Sequence, residues 1–207
     1  MTAAHLEGWI PGGCIGDPPR PTARTRFRRL DPVADLDLVH GWMHQPHVAA
    51  FWRLDVPRAE LAAYLRGVAG GSHQEALIGC VDGLPVSYWE VYWAARDPLA
   101  RHYAAEPHDQ GVHLLIGPPE LTGRGLGRRL LEQVVAWQLA REPRTGRVVA
   151  EPDVRNARMI HVFERCGFVR ETEVELPDKR AALMVRHRGA AGTELPVPRG
   201  AAEVPGR

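Results

Sequence analysis

Cysteine is scarce in this sequence. The 207 residues include three, Cys14, Cys80 and Cys166, set far apart. They make no CxxC pair and no zinc framework, and their odd count does not suit a disulfide scaffold. An excess of one charge is also missing. The 26 Lys and Arg residues face 25 Asp and Glu, for a formal net charge of +1. No bulk field therefore draws the chain to nucleic acid or to acidic membranes. No apolar run approaches the roughly 20 residues that span a bilayer. The opening MTAAHLEGWIPGGCIGDPPRPTARTR lacks the apolar core of a signal peptide. A cytoplasmic setting is expected. There is no internal repeat, and the length suits one domain, with or without tails.

What is present has a clear order. Residues 1–24 and 189–207 are rich in Pro, Gly and Arg and read as flexible tails. Residues 25–188 read as one domain. TRFRRLD suggests an opening strand. Val33, Leu36, Val39, Trp42 and Met43 fall at helical spacing, and Pro46 then punctuates the pattern. RAELAAYLRGVAG suggests a second helix. EALIGCVDGLPVSYWEVYWAA reads as two strands around the turn VDGLP. DPLARHYAAEPHDQG is polar and loop-like. A strand, a glycine-dense loop and a long helix follow in GVHLLIGPPELTGRGLGRRLLEQVVAWQL. GRVVAEPD gives another strand, NARMIHVFERCGF a short helix closed by Gly167, and VRETEVELPDKRAALMVRHR a closing strand pair. The expected fold class is a mixed α/β (α+β) domain on a largely antiparallel sheet.

The glycine loop invites an anion. Gly123, Gly125 and Gly127 let the backbone turn tightly and approach a ligand. The helix that follows presents unpaired N–H groups at the positive end of its dipole. Arg124, Arg128 and Arg129 add charge. Phosphate or pyrophosphate is the natural guest, although a sharp strand-to-helix turn alone would also use glycines. A P-loop needs Gly-Lys followed by Ser or Thr, which is absent. A dinucleotide fold would place its loop in the first of several βαβ units.

The loop and the later segment EPDVRNARMIHVFERCGF together resemble the acetyl-CoA-binding core of the GNAT acyltransferase superfamily. In the loop, Thr122, Gly123, Arg124, Gly125, Leu126, Gly127 and Arg128 fall on the family's cofactor positions, with Thr122 where the family has Arg or Gln. In the later segment Asn156, Met159, Ile160, Phe163, Glu164, Arg165, Gly167 and Phe168 follow the family pattern. Phe163 stands where the family often has the Tyr that protonates the leaving thiolate. HGWMHQPHVAAFW, GLPVSYWEVYWA and GVHLLIGPPELTGRGLG further resemble the siderophore-biosynthesis branch, which acylates lysine, N6-hydroxylysine and related diamines. The resemblance covers residues 26–188, and aminoglycoside 6'-N-acetyltransferases share much of the architecture. It implies a GNAT fold with a splayed strand pair, and acetyl-CoA or another acyl-CoA as co-substrate. It also implies pantetheine pairing along Leu115, Ile116 and Gly117, and direct transfer in a ternary complex. Asn156, Met159 and Phe163 complete the expected cofactor contacts.

The residues suggest how the chemistry is run. His113 lies on the strand expected to hold the thioester, and an imidazole near pKa 6.5 accepts a proton at neutral pH. The bland reading is a hydrogen-bonded core histidine. Asp153 ends the next strand and either holds the substrate ammonium, orients His113, or caps the following helix. The resemblance pairs His113 with Asp153 as catalytic residues. In SYWEVYW, alternation puts Tyr88, Glu90 and Tyr92 on one face. Glu90 and Tyr92 are expected to meet the acceptor together with Trp52, Glu90 by holding its α-amino group, or else the aromatics are simply core. His40, His44 and His47 fall near one helical face, but Pro46 interrupts the spacing and no metal is expected. Cys166 is not expected to be a nucleophile. The expected partner is a small amine or hydroxylamine, with no nucleic acid and no membrane, and the protein is expected to be a monomer or homodimer. A catalytically degenerate CoA-binding regulatory domain is the non-enzyme alternative.

Overall fold

The computed structural model describes residues 23–189. The flexible tails expected at the two ends lie almost wholly outside these residues, as does Cys14. Seven strands form one sheet in the order β1-β2-β3-β4-β5-β7-β6. They are β1 (Thr25–Arg29), β2 (Gln74–Val81), β3 (Leu84–Trp93), β4 (Gln110–Ile116), β5 (Arg147–Ala150), β6 (Val169–Glu175) and β7 (Arg180–His187). Every neighbouring pair is antiparallel except β4 with β5. The mixed, largely antiparallel sheet expected from the sequence is the one observed. Among the described residues no helix is long and apolar enough to cross a membrane.

Local chemistry sets the joints. β2 and β3 are linked by Asp82 and Gly83 alone, at φ 48° and 85°. Two left-handed residues give the tight turn whose twist matches that of the strands, and Asp-Gly is a favoured pair there. Helix α4 (Leu126–Arg141) starts at Gly125, φ 77°, which follows Gly123 at φ 74°. Helix α5 (Ala157–Arg165) starts at Asn156, whose side chain accepts the Met159 N–H at 3.1 Å. Gly167 at φ 80° ends it, as the ERCGF segment suggests.

Two expectations change at the first helices. α1 runs Leu36–Met43, and Val33 lies outside it with 77% of its surface exposed. Pro46 does not simply end the helical region. It opens a further helix, α2 (Pro46–Trp52), at a position where the missing N–H costs nothing. α3 (Arg58–Gly70) follows.

The sheet is covered on both faces. Trp89, Leu114, Val148 and Met184 pack with Leu130, Val134 and Phe163 of α4 and α5. Tyr88, Ile78 and Leu115 pack on the other face with Val39, Leu61 and Leu65 of α1 and α3. Alternation along β3 and β4 thus sends successive residues to opposite cores. At Gly111 of β4 an added Cβ would run into the buried ring of Tyr92, its register partner. Gly111→Ala is therefore expected to destabilise the fold by about 1–3 kcal/mol through overpacking, read as a lower denaturation midpoint in urea with an unchanged slope.

Candidate active site

The site begins where two strands part. β4 pairs with β3 along its whole length, Gln110 to Ile116. With β5 it shares only two register pairs, Gln110 with Val148 and Gly111 with Val149. The rest of β4 faces a cleft of about 930 Å³. The backbone hydrogen bonds of an antiparallel pair alternate sides. Gly117 donates its N–H to Val86 O at 2.9 Å, so Gly117 and Leu115 turn their backbone groups toward β3. Leu114 and Ile116 turn theirs to the splayed side. Of the three residues expected to pair with pantetheine, only Ile116 presents its backbone there, and Leu114, not among the three, presents its own beside it. Ile116 O also accepts the Nε2–H of His47 at 2.8 Å. That bond pins α2 against the strand and brings Trp52 over the site, with its ring 6.1 Å from that of His113.

His113 sits between two carboxylates. Glu90 is its register partner on β3, and Glu90 Oε2 lies 3.2 Å from Nδ1. Glu151, just past β5, meets Nε2 through Oε1. Both ring nitrogens therefore donate, and the ring is an imidazolium. Burial pulls its pKa down, but Glu151 and Glu90 outweigh this and raise it to about 10. Burial pushes Glu151 up, and the attraction of His113 overcomes that and holds it at about 2. Glu90 is lowered by the same balance, with His113 and the two tyrosine hydroxyls opposing burial. Tyr64 and Tyr88 donate to Glu90 Oε1 at 2.6 and 2.8 Å, and Tyr92 donates to Glu151 Oε2 at 2.8 Å. Burial, then the neighbouring carboxylates, raise the pKa of all three phenols, so they remain donors.

This arrangement revises several expectations. Asp153 does not orient His113. Its carboxylate is held by Arg155, at 2.6 Å from Nη2, and by the Arg155 N–H at 2.8 Å. Nor does Asp153 cap α5, since Asn156 does. Glu90 is closed to an incoming ammonium by its three donors. Tyr92 is buried beneath the site, where its ring lies 4.8 Å from that of His113 and its hydroxyl holds Glu151. The residue that sequence reasoning missed is Glu151, in the same EPD segment as Asp153.

The other arm of the cleft holds the glycine loop. Gly123, Gly125, Gly127, Thr122 and Arg128 line it, with Asn156, Met159 and Phe163 of the facing helix. At Gly123 and Gly125 an added Cβ would meet nothing within 4 Å, so the loop surface is open. The first intrahelical bond of α4 runs from Arg129 N–H to Gly125 O at 3.1 Å, which leaves the preceding N–H groups available to an anion. Thr122 turns its hydroxyl to Pro119 O at 2.8 Å. Arg124 is exposed and does not line the cleft, and Leu126 is buried in the core. Phe163 is buried against Phe168, with ring centroids 5.0 Å apart. Cys166 is buried, and burial pushes its thiol up to about 12. His44 bonds back to His40 O at 2.9 Å while His47 faces Ile116. Among the described residues no group of three or more potential metal ligands comes together.

An acetyltransferase (GNAT) domain description matches residues 31–176. The chain belongs to the GNAT acetyltransferase family. Among its GNAT relatives, the lysine N-acyltransferase MbtK of Mycolicibacterium paratuberculosis is 40% identical over 172 residues, covering 82% of this chain and 77% of that protein. The N(6)-hydroxylysine O-acetyltransferase of Escherichia coli is 37% identical over 177 residues, 86% of this chain, which spans 56% of that relative's length. The solved aminoglycoside acetyltransferase AAC(6')-Ib in complex with coenzyme A shares the GNAT fold with a TM-score of 0.73. It is 24% identical, with 81% of this chain and 96% of that one covered.

The charge clamp has a pH signature. A histidine raised to about 10 contributes stability that is complete below its unfolded pKa, about 6.5, and is lost as pH climbs through 10. A glutamate lowered to about 2 contributes above about 4.5 and loses this as pH falls toward 2. His113→Gln leaves two carboxylates without their cation. It is expected to cost about 2 kcal/mol, below the full penalty for a buried orphaned charge because the imidazole is 31% exposed. The stability gap between parent and variant should be widest near pH 5–6.5 and narrow toward pH 10, as urea denaturation across that range would show.

Proposed function

We propose that this chain is an acyl-CoA-dependent N-acyltransferase. It acylates the side-chain amine or hydroxylamine of a lysine- or hydroxylysine-like diamine, the chemistry of siderophore assembly. The observation that carries the reading is the parting of β4 from β5 beside His113, in one cleft that continues to the open glycine N-terminus of α4. The names of the lysine and N(6)-hydroxylysine relatives support the choice of acceptor.

The residues fit an acyl-CoA. The free N–H groups at the start of α4, with Arg128 beside them, suit the pyrophosphate. The splayed edge at Leu114, with the N–H of Ile116 whose carbonyl His47 already holds, suits the extended pantetheine, and these backbone N–H groups, fixed in position, suit a carbonyl that gains negative charge. The acyl-CoA supplies the activated thioester. The acceptor nitrogen forms the new C–N bond as the C–S bond breaks, and sulfur leaves with the bonding electron pair. The proton that nitrogen gives up passes to the departing sulfur, because in the adjacent Glu151–His113 pair, which Glu90 holds in register, both ring nitrogens already carry protons. Asp153, with Arg155, lines the wall beside this pair. Transfer is direct, because the buried thiol of Cys166 is no nucleophile.

The state of His113 favours one acceptor chemistry. Neither ring nitrogen is free to take a proton from a lysine ammonium, whose pKa is near 10.4. A hydroxylamine is far less basic and arrives neutral. A binding-only, regulatory reading would draw on Phe163 and Thr122, but it leaves the buried charged cluster around His113 without a purpose.

Two measurements test the reading. Gly125→Glu places a side chain and a negative charge in the phosphate cradle. It should lower CoA affinity at least about tenfold in calorimetry, the effect of losing a charge-assisted contact, with the circular dichroism spectrum unchanged. Unaltered CoA binding would remove the loop from the site. In steady-state kinetics with acetyl-CoA, kcat/KM for N6-hydroxylysine should exceed that for lysine and for kanamycin. A faster kanamycin reaction would replace the proposed acceptor with an aminoglycoside.

A further inference from the structure

The far wall of the acceptor arm is a hairpin tip that the chemistry above does not use. β6 and β7 turn at Pro177-Asp178, and the turn is closed by Leu176 N–H to Lys179 O at 2.9 Å. The hairpin is tied to the segment after β5. Val154 donates its N–H to Arg180 O at 3.0 Å, Ala182 donates to Pro152 O at 2.9 Å, and Asp153 bridges Ala181. Asp178 and Lys179 thereby line the same cleft as Glu151.

Lys179 is the single lysine in a chain whose other 25 basic residues (26 Lys and Arg in all, less one) are arginines. Its side chain is only 18% exposed, and its nearest carboxylate oxygen, Glu151 Oε1, lies 3.8 Å away. That oxygen already accepts from His113, and the other oxygen of Glu151 accepts from Tyr92. The ammonium thus keeps its three N–H donors without a hydrogen bond among the described residues. Asp178 is exposed and has no ion pair among the described residues. Glu90, the group first expected to hold an α-ammonium, is saturated.

We propose that Asp178 and Lys179 form a subsite that reads the zwitterionic end of an α-amino acid. Lys179 takes the α-carboxylate and Asp178 takes the α-ammonium, while the side-chain nitrogen of the acceptor is presented at His113. This rests on the acyl-transfer reading above and narrows it, since amino-acid acceptors are favoured over decarboxylated diamines. A compact ammonium with three donors suits a carboxylate approached from one side. If Lys179 served only to balance Glu151, its removal would affect every acceptor alike.

The test compares N6-hydroxylysine with N-hydroxycadaverine, its decarboxylated counterpart, using acetyl-CoA. The quantity read is the ratio of their kcat/KM values. Lys179→Met should lower the ratio about tenfold, mainly through KM for the amino acid, as expected for a mostly buried charge-assisted contact. Asp178→Asn should lower kcat/KM about threefold for both acceptors, since each carries the ammonium, and leave the ratio unmoved, in the range of an exposed pair. Lys179→Arg should restore most of the preference. A ratio unmoved by Lys179→Met, or kcat/KM values for both acceptors unmoved by Asp178→Asn, with turnover retained, would overturn the subsite and leave the acyltransferase reading standing. No turnover of either acceptor by the unaltered protein would overturn the acyl-transfer reading, and the subsite with it.

Discussion

One imidazolium holds the centre of this molecule together. His113 on β4 is gripped by Glu90 from β3 and by Glu151 from beyond β5. Three neighbouring segments of the sheet therefore meet in a single charged cluster, at the point where the backbone ladder between β4 and β5 has stopped. Charges in a low-dielectric site attract strongly, yet each alone is costly to bury. The clamp resolves this by satisfying each carboxylate with the ring and with phenol hydroxyls. The splay can then exist without the strands drifting apart, and the cleft has a fixed floor.

The same cluster sets the chemical character of the cleft. Two carboxylates and one imidazolium leave one net negative charge beside the splayed edge. The glycine arm, with its helix terminus and Arg128, is positive. A cleft negative at one end and positive at the other would take an anionic ligand in the glycine arm and a separate amine beside His113. The fold achieves this with short-range features: two left-handed glycines, a helix start and one register pair.

Much of this was legible in the sequence. The Asp-Gly turn announces the β2–β3 hairpin because its left-handed residues are chemically marked. The alternating glycines announce the start of α4 for the same reason, and the loop reaches the cleft as expected. The identity of the partners of His113 was harder to read. Glu90 meets His113 by cross-strand register, and that register is fixed across a polar connection with no repeating pattern. Glu151 and Asp153 lie two residues apart just beyond a four-residue strand, where alternation no longer dictates direction. Only the pairing of residues 152–154 with β7 decides which acid faces the ring. α2 was hidden by Pro46, since the residue that breaks a helix from within also opens one.

The splayed strand can also be seen as an edge in the middle of a sheet. Unpaired strand edges are sticky, and proteins usually blunt them with charge. Here the two outer edges follow that rule. β1 carries Arg26, Arg28 and Arg29, and β6 carries Arg170, Glu171, Glu173 and Glu175. The edge that β5 leaves without a partner strand, from Val112 to Ile116 and apolar apart from His113, is the one turned inward. It lies at the bottom of a cleft walled by α5 and α2, where another protein's sheet cannot lie flat against it. Width thus does the sorting that charge does elsewhere: a single slender, extended chain can reach the edge, and a second β-sheet cannot.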